Sequence, residues 1–325
     1  MSARALAIGS PKANQLRPFK MRGDLSAVAD LVELCFQDTL DEDGRMYIQQ
    51  MRRTAQNSSL LNAAISSTLN NDLPPGGYVW EEENRIVGNL SLIPILAFGK
   101  RHYLIANVAV DPKYRRRGIA SQLTEAALEQ TSTSKAEEIW LQVDHNNQAA
   151  IELYRGMGFR DRAHRIGWIS RPRADLGLTP SEDIQIRHQR TDDWGLQKSW
   201  LEANYPGEVR WNLPLDLGQL QPGFLGSVQR LLGDRRVEQW AAESADELMG
   251  VLSWQSSMLN ADRLWLATGE DKESQVLPSL LSIAHKKLRR GRKFLLNYAA
   301  GRSESIFEEF GFSRLRELIW MRFDG

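Results

Sequence analysis

A single cysteine, Cys35, in 325 residues excludes an intrachain disulfide and a cysteine-rich metal site. Histidine is nearly as scarce: five are present, none in a paired ligand spacing, so no metal is expected. An excess of either charge is also missing, with 41 Lys+Arg against 41 Asp+Glu. Up to Arg171 the balance is 21 to 19 and beyond it 20 to 22, so neither half is built to hold nucleic acid through bulk charge. Long apolar runs are absent as well. "LIPILAF" is interrupted by Pro94 and falls far short of the roughly 20 residues of a membrane span. The apolar stretch at residues 5–8 is too short for a signal peptide. The expectation is a cytoplasmic protein without a membrane anchor, whose residues 1–14 form a flexible tail.

What remains is ordinary globular material, 42% hydrophobic and 25% charged, and long enough for two domains. A short strand "QLRPFK" leads to a helix from Asp24, taken as its N-cap, and to a polar helical region running to Asn71. "DLPPGG" then breaks the chain. The alternating run "YVWEEENRIVGNLSLIPI" reads as a hairpin turning at 81–84, and a second strand pair, "HYLIANVAV", follows. After "DPKYRRRGIASQL" comes a helix with Ile119, Leu123, Ala126 and Ala127 on one face. A buried strand "EIWLQV" and a short helix ending at Gly158 complete the series.

The segment 173–183 reads as a linker, after which the same order restarts. "IQIRHQRTDDWGLQKSWLEANY" resembles "QLRPFKMRGDLSAVADLVELCF", "ADELMGVLSW" resembles "ENRIVGNLSL", and "IFEEFGFSRLRELIWMRF" resembles "IELYRGMGFRDRAHRIGWIS". Gly88 and Gly250 are 162 residues apart and Phe159 and Phe312 153 apart, a drifting offset with preserved order that suggests a diverged duplication.

The loop "RRRGIA" has the makings of an anion cradle. Backbone N–H groups at a helix start have no intrahelical partner and carry the positive end of the dipole. Gly118 opens the helix without a Cβ, Ala120 keeps the next turn clear, and Lys113, Arg115, Arg116 and Arg117 can add charge-assisted contacts. Taken alone, this stretch is better explained as a solvated basic turn, because basic residues before a helix are common. Downstream, in "VDHNNQAAIELYRGMGF", Asn147 can cap a helix whose Ala150, Leu153, Tyr154 and Met157 share a face before Gly158 stops it. Asn147 and Tyr154 lie two turns apart and point the same way. Each also has a plainer role, as a cap and as a core tyrosine.

Strand "ANVAVDP", loop "RRRGIA", a helix, strand "LQV" and then "NxxAxxLYxxxGF" together resemble the GNAT superfamily of acyl-coenzyme A dependent N-acyltransferases. The resemblance covers about 16–170. It implies an α/β (α+β) architecture of two tandem GNAT folds, each with a mixed, mainly antiparallel sheet flanked by helices. The catalytic copy would span 15–172 and the other 184–325. By the resemblance, Val108, Ala109 and Val110 pair with the pantetheine arm of acetyl-coenzyme A. Arg115, Arg116, Arg117, Gly118, Ile119, Ala120 and Ser121 hold its pyrophosphate, Asn147 contacts it, and Tyr154 is the general acid.

The implied reaction is direct acetyl transfer to a primary amine of a small molecule or peptide, with Cys35 as a small buried residue rather than a nucleophile. A backbone N–H of the 108–110 strand would meet the developing oxyanion. No base is assignable, because Asn107 cannot serve as one. The acids of "FQDTLDED" could attract a cationic amine, although capping and exposure explain them better, and His145 reads as a polar loop residue. In the second copy "LATGEDKESQVLPSLL" lacks the loop's arginines and glycine, and Phe307 falls where the tyrosine would, so that copy is expected to be degenerate. Most of its seven tryptophans are expected in the core. A non-catalytic acyl-coenzyme A sensor or scaffold is the alternative, and the chain is expected to be a monomer or homodimer.

Overall fold

Alternating and helical apolar patterns set the elements of a computed structural model, which describes residues 15–38, 40, 42–62, 76–97, 99–134, 136–171, 183–223, 236–257, 261–288 and 292–325. The expected tail and all of the expected linker except Asp183 lie outside these residues. The chain divides into two units: Met1–Val143 with Asn147–Arg160 and Met321–Gly325, and Asp144–Asn146 with Asp161–Trp320.

In the first unit β1 (Leu16–Pro18), β2 (Gly76–Glu82), β3 (Arg85–Ala97), β4 (Lys100–Val110) and β5 (Glu138–Asp144) pair in that order, antiparallel except for β4 with β5. The β2–β3 hairpin turns where expected, with Glu83 and Asn84 at φ 51° and 61°. α1 (Met21–Phe36) and α2 (Glu42–Gln56) cover one face, where Val28, Val32, Ile48 and Met51 meet Val79 and Ala109. Alternation puts Trp80 and its partner Gly88 on the opposite face, under α3 (Ile119–Ser132). A Cβ on Gly88 would lie 2.8 Å from Ile119 Cγ2 and 2.9 Å from Trp80 Cβ, so glycine lets the start of α3 settle onto the sheet. Ile119, Leu123, Ala126 and Ala127 are all buried, as their spacing predicts.

Two local readings are corrected. α1 begins at Met21 rather than Asp24, because the Asp24 carboxylate reaches back to accept the Lys20 N–H at 2.7 Å. "HYLIANVAV" is part of one strand, β4, whose register against β3 slips between Asn89 and Ser91. Asn107, at φ 51°, makes this bulge, and the buried Asn89 amide donates to its carbonyl at 2.9 Å.

The second unit repeats the plan. β7 (Gln185–His188), β8 (Val237–Ser244), β9 (Glu247–Gln255), β10 (Ala261–Thr268) and β11 (Lys293–Ala299) pair in order, and only β10 with β11 is parallel. Its regular elements also include α5 (Trp194–Asn204), α6 (Glu273–Lys287), α7 (Glu304–Glu309) and most of β12 (Ser313–Phe323). Of its tryptophans, Trp168, Trp211, Trp240, Trp265 and Trp320 are buried and Trp194, Trp200 and Trp254 half-buried.

The units do not divide where the linker was expected. β6 (Phe159–Ser170), placed by sequence in the first domain, pairs antiparallel with β11 from Ser170↔Phe294 to Arg165↔Ala299, so from Asp161 it belongs to the second unit. The chain end joins the first unit instead, with the Phe323 ring 5.4 Å from that of Phe159.

The same ionic network stands in both units. In the first, Arg17 donates to Asp24 at 2.7 and 3.0 Å and to Glu81 at 2.7 Å. In the second, Arg187 donates to Asp193 at 2.7 and 2.9 Å and to Glu243 at 2.5 Å.

Candidate active site

The site is built where β4 ends. β4 pairs with β5 from His102↔Glu138 to Ile105↔Leu141 and then stops, although both strands run on, to Val110 and Asp144. Between the ends of these parallel strands, among the described residues, no side chain hydrogen-bonds the backbone of Val108 or Ala109. The bulge at Asn107 lies at the mouth of the same gap, because it lies where the pairing with β5 gives out. Nothing in the composition announced it; the only local signal is an asparagine, tolerant of left-handed backbone, inside a strand pattern.

Beyond β4, Asp111 closes a single 3-10 turn by accepting the Lys113 N–H at 2.9 Å, and the chain enters the basic loop. Arg116 and Gly118 both have positive φ, 63° and 77°. Gly118 is the N-cap of α3, and the first helical bond runs from Gln122 N to Gly118 O at 3.0 Å. The N–H groups of Ile119, Ala120 and Ser121 therefore have no intrahelical acceptor. A Cβ on Gly118 would meet only Gln122 Nε2, at 3.7 Å, so the approach to those N–H groups is open. Arg115, Arg116 and Arg117 are all exposed. Arg115 Nε donates to Val110 O at 3.1 Å, tying the loop to the strand end, and Arg117 stacks over the Tyr114 ring at 4.8 Å. An open helix N-terminus preceded by three exposed arginines fits a pyrophosphate.

α4 (Gln148–Gly156) supplies the other two candidates. Asn147 is its N-cap, and its Oδ1 accepts the Ala150 N–H at 3.2 Å, leaving the amide N–H groups for a ligand. Tyr154 is buried beside Ile151, which takes the place in the apolar face expected of Ala150 and Leu153. Its ring meets Phe159 edge-on at 5.9 Å, and burial pushes its phenol well above the ordinary tyrosine range. Gly158, at φ 99°, ends the helix as expected.

Three other groups resolve into plainer roles. The half-buried Cys35 thiol donates to Val110 O at 3.3 Å, and burial raises its pKa, the opposite of what a nucleophile needs. His145 stands 3.6 Å from the Glu317 carboxylate, which also takes His164 at 2.8 Å. Within "FQDTLDED", Thr39 and Asp41 lie outside the described residues and Asp38 is exposed. A polar groove of about 410 Å³ beside α1, lined by Arg17, Asp24, Asp30, Glu81, Arg85 and Asp111, includes none of the candidate residues. Among the described residues no group of acids, histidines or cysteine is arranged to hold a metal, and no helix is long and apolar enough to cross a membrane.

Residues 36–159, from the end of α1 to the start of β6, match the model of the acetyltransferase (GNAT) family. The chain is 39% identical over 59 residues to the [ribosomal protein bS18]-alanine N-acetyltransferase of Salmonella typhimurium, covering 18% of this chain and 40% of that one. It is 42% identical over 55 residues to N-alpha-acetyltransferase 30 of Saccharomyces cerevisiae, covering 17% and 31%. The match thus spans well under half the length of either relative. In fold, 95% of the chain superposes on 95% of a GCN5-related N-acetyltransferase from Sphaerobacter thermophilus, with TM-score 0.56 and 14% identity. It also superposes on a glucosamine N-acetyltransferase region of a fungal multi-domain β-N-acetylglucosaminidase, with TM-score 0.54 and 14% identity, covering 95% of this chain and 38% of that one. The fold is therefore that of the GNAT proteins, a mixed, mainly antiparallel sheet flanked by helices.

Proposed function

We propose that the chain is an acetyl-coenzyme A dependent N-acetyltransferase with one coenzyme site, in the first unit. It would act on a primary amine of a small molecule or peptide. The observation that carries this reading is the conjunction of the open β4–β5 gap with the uncovered N-terminus of α3, which three exposed arginines precede. Val108, Ala109 and Val110 lie on the stretch of β4 that β5 does not pair and would run alongside an amide-bearing arm, and Gly118, Ile119, Ala120 and Ser121 offer N–H donors to its phosphates. The co-substrate supplies an acetyl group activated as a thioester.

The chain's own residues then have defined tasks. A strand N–H beside the bulge is fixed before reaction and can stabilise the carbonyl oxygen as charge builds on it. Tyr154 holds its proton throughout the neutral range. A thiol near 8.5 is far more acidic than this buried phenol, and each pKa unit of mismatch costs about 1.4 kcal/mol. Tyr154 therefore serves the departing sulfur by donating a hydrogen bond more than by complete proton transfer. Asn147 anchors α4 and presents its amide to the cofactor arm.

The peptide and protein amines named for the two relatives make a peptide N-terminus a natural first acceptor to try. A thiol-release assay over amino acids, polyamines, aminoglycosides and peptides tests the proposal. Binding of acetyl-coenzyme A without thiol release on any amine would favour the sensor reading instead, which the lack of a carboxylate at Asn107 supports.

A further inference from the structure

β10 and β11 part in the second unit as β4 and β5 do in the first. Their pairing runs from Ala261↔Lys293 to Leu264↔Leu296 and stops, while the strands continue to Thr268 and Ala299. Gly88 faces Val110 across β3 and β4, and Gly250 faces Thr268 across β9 and β10. Leu266, Ala267 and Thr268 thus stand where Val108, Ala109 and Val110 stand in the first unit.

Among the described residues no side chain bonds the backbone at Val108, whereas at its counterpart Leu266 both backbone groups are taken; Val110 O, like Thr268 O, already has a side-chain donor. Asn204, the last residue of α5, donates its amide to Leu266 O and Thr268 O, both at 3.2 Å. The next residue, Tyr205, accepts the Leu266 N–H at 3.3 Å and sets its ring edge-on to Trp265, 5.4 Å away. Arg165 holds the β11 side, donating to Asn297 Oδ1 at 2.7 Å, Asn297 O at 3.2 Å and Asn204 O at 2.8 Å. Asn204, Tyr205 and Arg165 are 4%, 0% and 4% exposed. At the first residue of α6 the buried Glu273 carboxylate accepts from Tyr298 Oη at 2.5 Å, from Ser303 Oγ at 2.6 Å and from Arg302. A buried carboxylate thus stands in the first turn of α6, held by side chains outside that helix, where the first unit has only Ile119, Ala120 and Ser121.

We propose that the second unit is self-liganded. Asn204, Tyr205 and Arg165 fill its strand gap and Glu273 puts a buried negative charge at the start of α6, where a phosphate would be repelled, so the chain takes up a single coenzyme A, in the first unit. This rests on the function proposed above. Buried backbone donors and acceptors have to be paired, and here the pairing is intramolecular. A pantetheine arm could enter only by displacing a fully buried tyrosine together with the Asn204 amide.

Calorimetric titration of the full chain with coenzyme A is expected to give one equivalent, and Gly118→Trp none. Two equivalents, or one that survives Gly118→Trp, would overturn the self-liganded assignment. No binding to the wild type would instead sink the function on which it rests. Hydrogen exchange tests the plug directly: Tyr205→Phe keeps the ring but removes the acceptor of the Leu266 N–H. Exchange at Leu266 is expected to quicken at least tenfold with coenzyme affinity unchanged, and an unaltered Leu266 rate would refute the placement of Tyr205.

Discussion

Gly118 separates the binding function of the α3 loop from its packing, and Gly118→Val exposes the difference. Its φ of 77° costs a residue with a Cβ about 1–2 kcal/mol. No steric penalty adds to this, because the new Cβ faces open space apart from Gln122 Nε2 at 3.7 Å. For a unit of this size that is a fall in melting temperature of about 2–8 °C. Coenzyme affinity is expected to fall much further. The valine side chain would stand in front of the unpaired N–H groups of Ile119 and Ala120, and hydrogen bonds to a charged partner are worth about 1.5–3 kcal/mol each. Losing two removes about 3–6 kcal/mol, a factor of about 10² to 10⁴ in dissociation constant. Thermal unfolding followed by circular dichroism gives the first quantity and calorimetric titration with acetyl-coenzyme A the second. A folded Gly118→Val protein with normal affinity would refute the loop assignment.

Tyr154→Phe is expected to keep coenzyme affinity within about twofold and to lower transfer by about 10²-fold or more in a steady-state thiol-release assay; unchanged transfer removes its role at the sulfur. Gly88→Ala is the converse of Gly118→Val. Its Cβ would lie 2.8 Å from Ile119 and 2.9 Å from Trp80, so overpacking should cost about 1–3 kcal/mol and displace the start of α3; a melting temperature equal to wild type contradicts this. The last concerns acid. Burial alone would raise the Asp24 carboxyl, but Arg17 and the Lys20 N–H together outweigh it and hold the carboxyl below its ordinary value of 3.8. The folded state therefore binds that proton less readily than the unfolded chain. Asp24 stabilises at pH values above 3.8, and the contribution is lost as pH falls through the depressed folded value. The stability gap between wild type and Asp24→Asn should be wide at pH 7 and close towards pH 2; a gap independent of pH would show that the carboxylate does not carry it.

The parts of this molecule legible in the sequence are those fixed by local rules. The α3 face at Ile119, Leu123, Ala126 and Ala127 follows from helical spacing, the cap at Asn147 and stop at Gly158 from backbone preference, and the turn at Glu83 and Asn84 from hairpin chemistry. The misses are long-range. Asp24 looked like a cap because the strand before it gave no sign that Arg17 would draw its carboxylate backward. β6 looked like the last strand of the first domain because nothing in "FRDRAHRIGWIS" encodes a preference for β11. Tyr154 was singled out by motif, but its neighbours Ile151 and Phe159 come from the way α4 lies on the sheet, which the spacing of Leu153 and Met157 did not predict. Asn107 was read only as a poor base. Its structural task, making the bulge with Asn89 buried beneath it, depends on a strand partner 18 residues away.

Divergence between the units can be read against what both retain. Arg17 with Asp24 and Glu81, and Arg187 with Asp193 and Glu243, make the same bonds from the same strands, although the separations are 170, 169 and 162 residues. The glycine that seats the crossing helix recurs too, as Gly88 and Gly250. Such a network depends on three elements meeting at once, so its recurrence supports a duplicated ancestor more strongly than similarity among amphipathic strands. The differences that bear on a ligand lie at the strand gap and the helix start. There the first unit presents a stretch of β4 that β5 does not pair and exposed arginines, and the second presents Asn204, Tyr205 and Glu273 already paired. A fold that has only drifted would leave buried strand backbone unsatisfied at a cost of about 1–3 kcal/mol per group. A strand gap that holds no ligand needs side chains to take up its hydrogen bonds, and the network around Asn204 has that character.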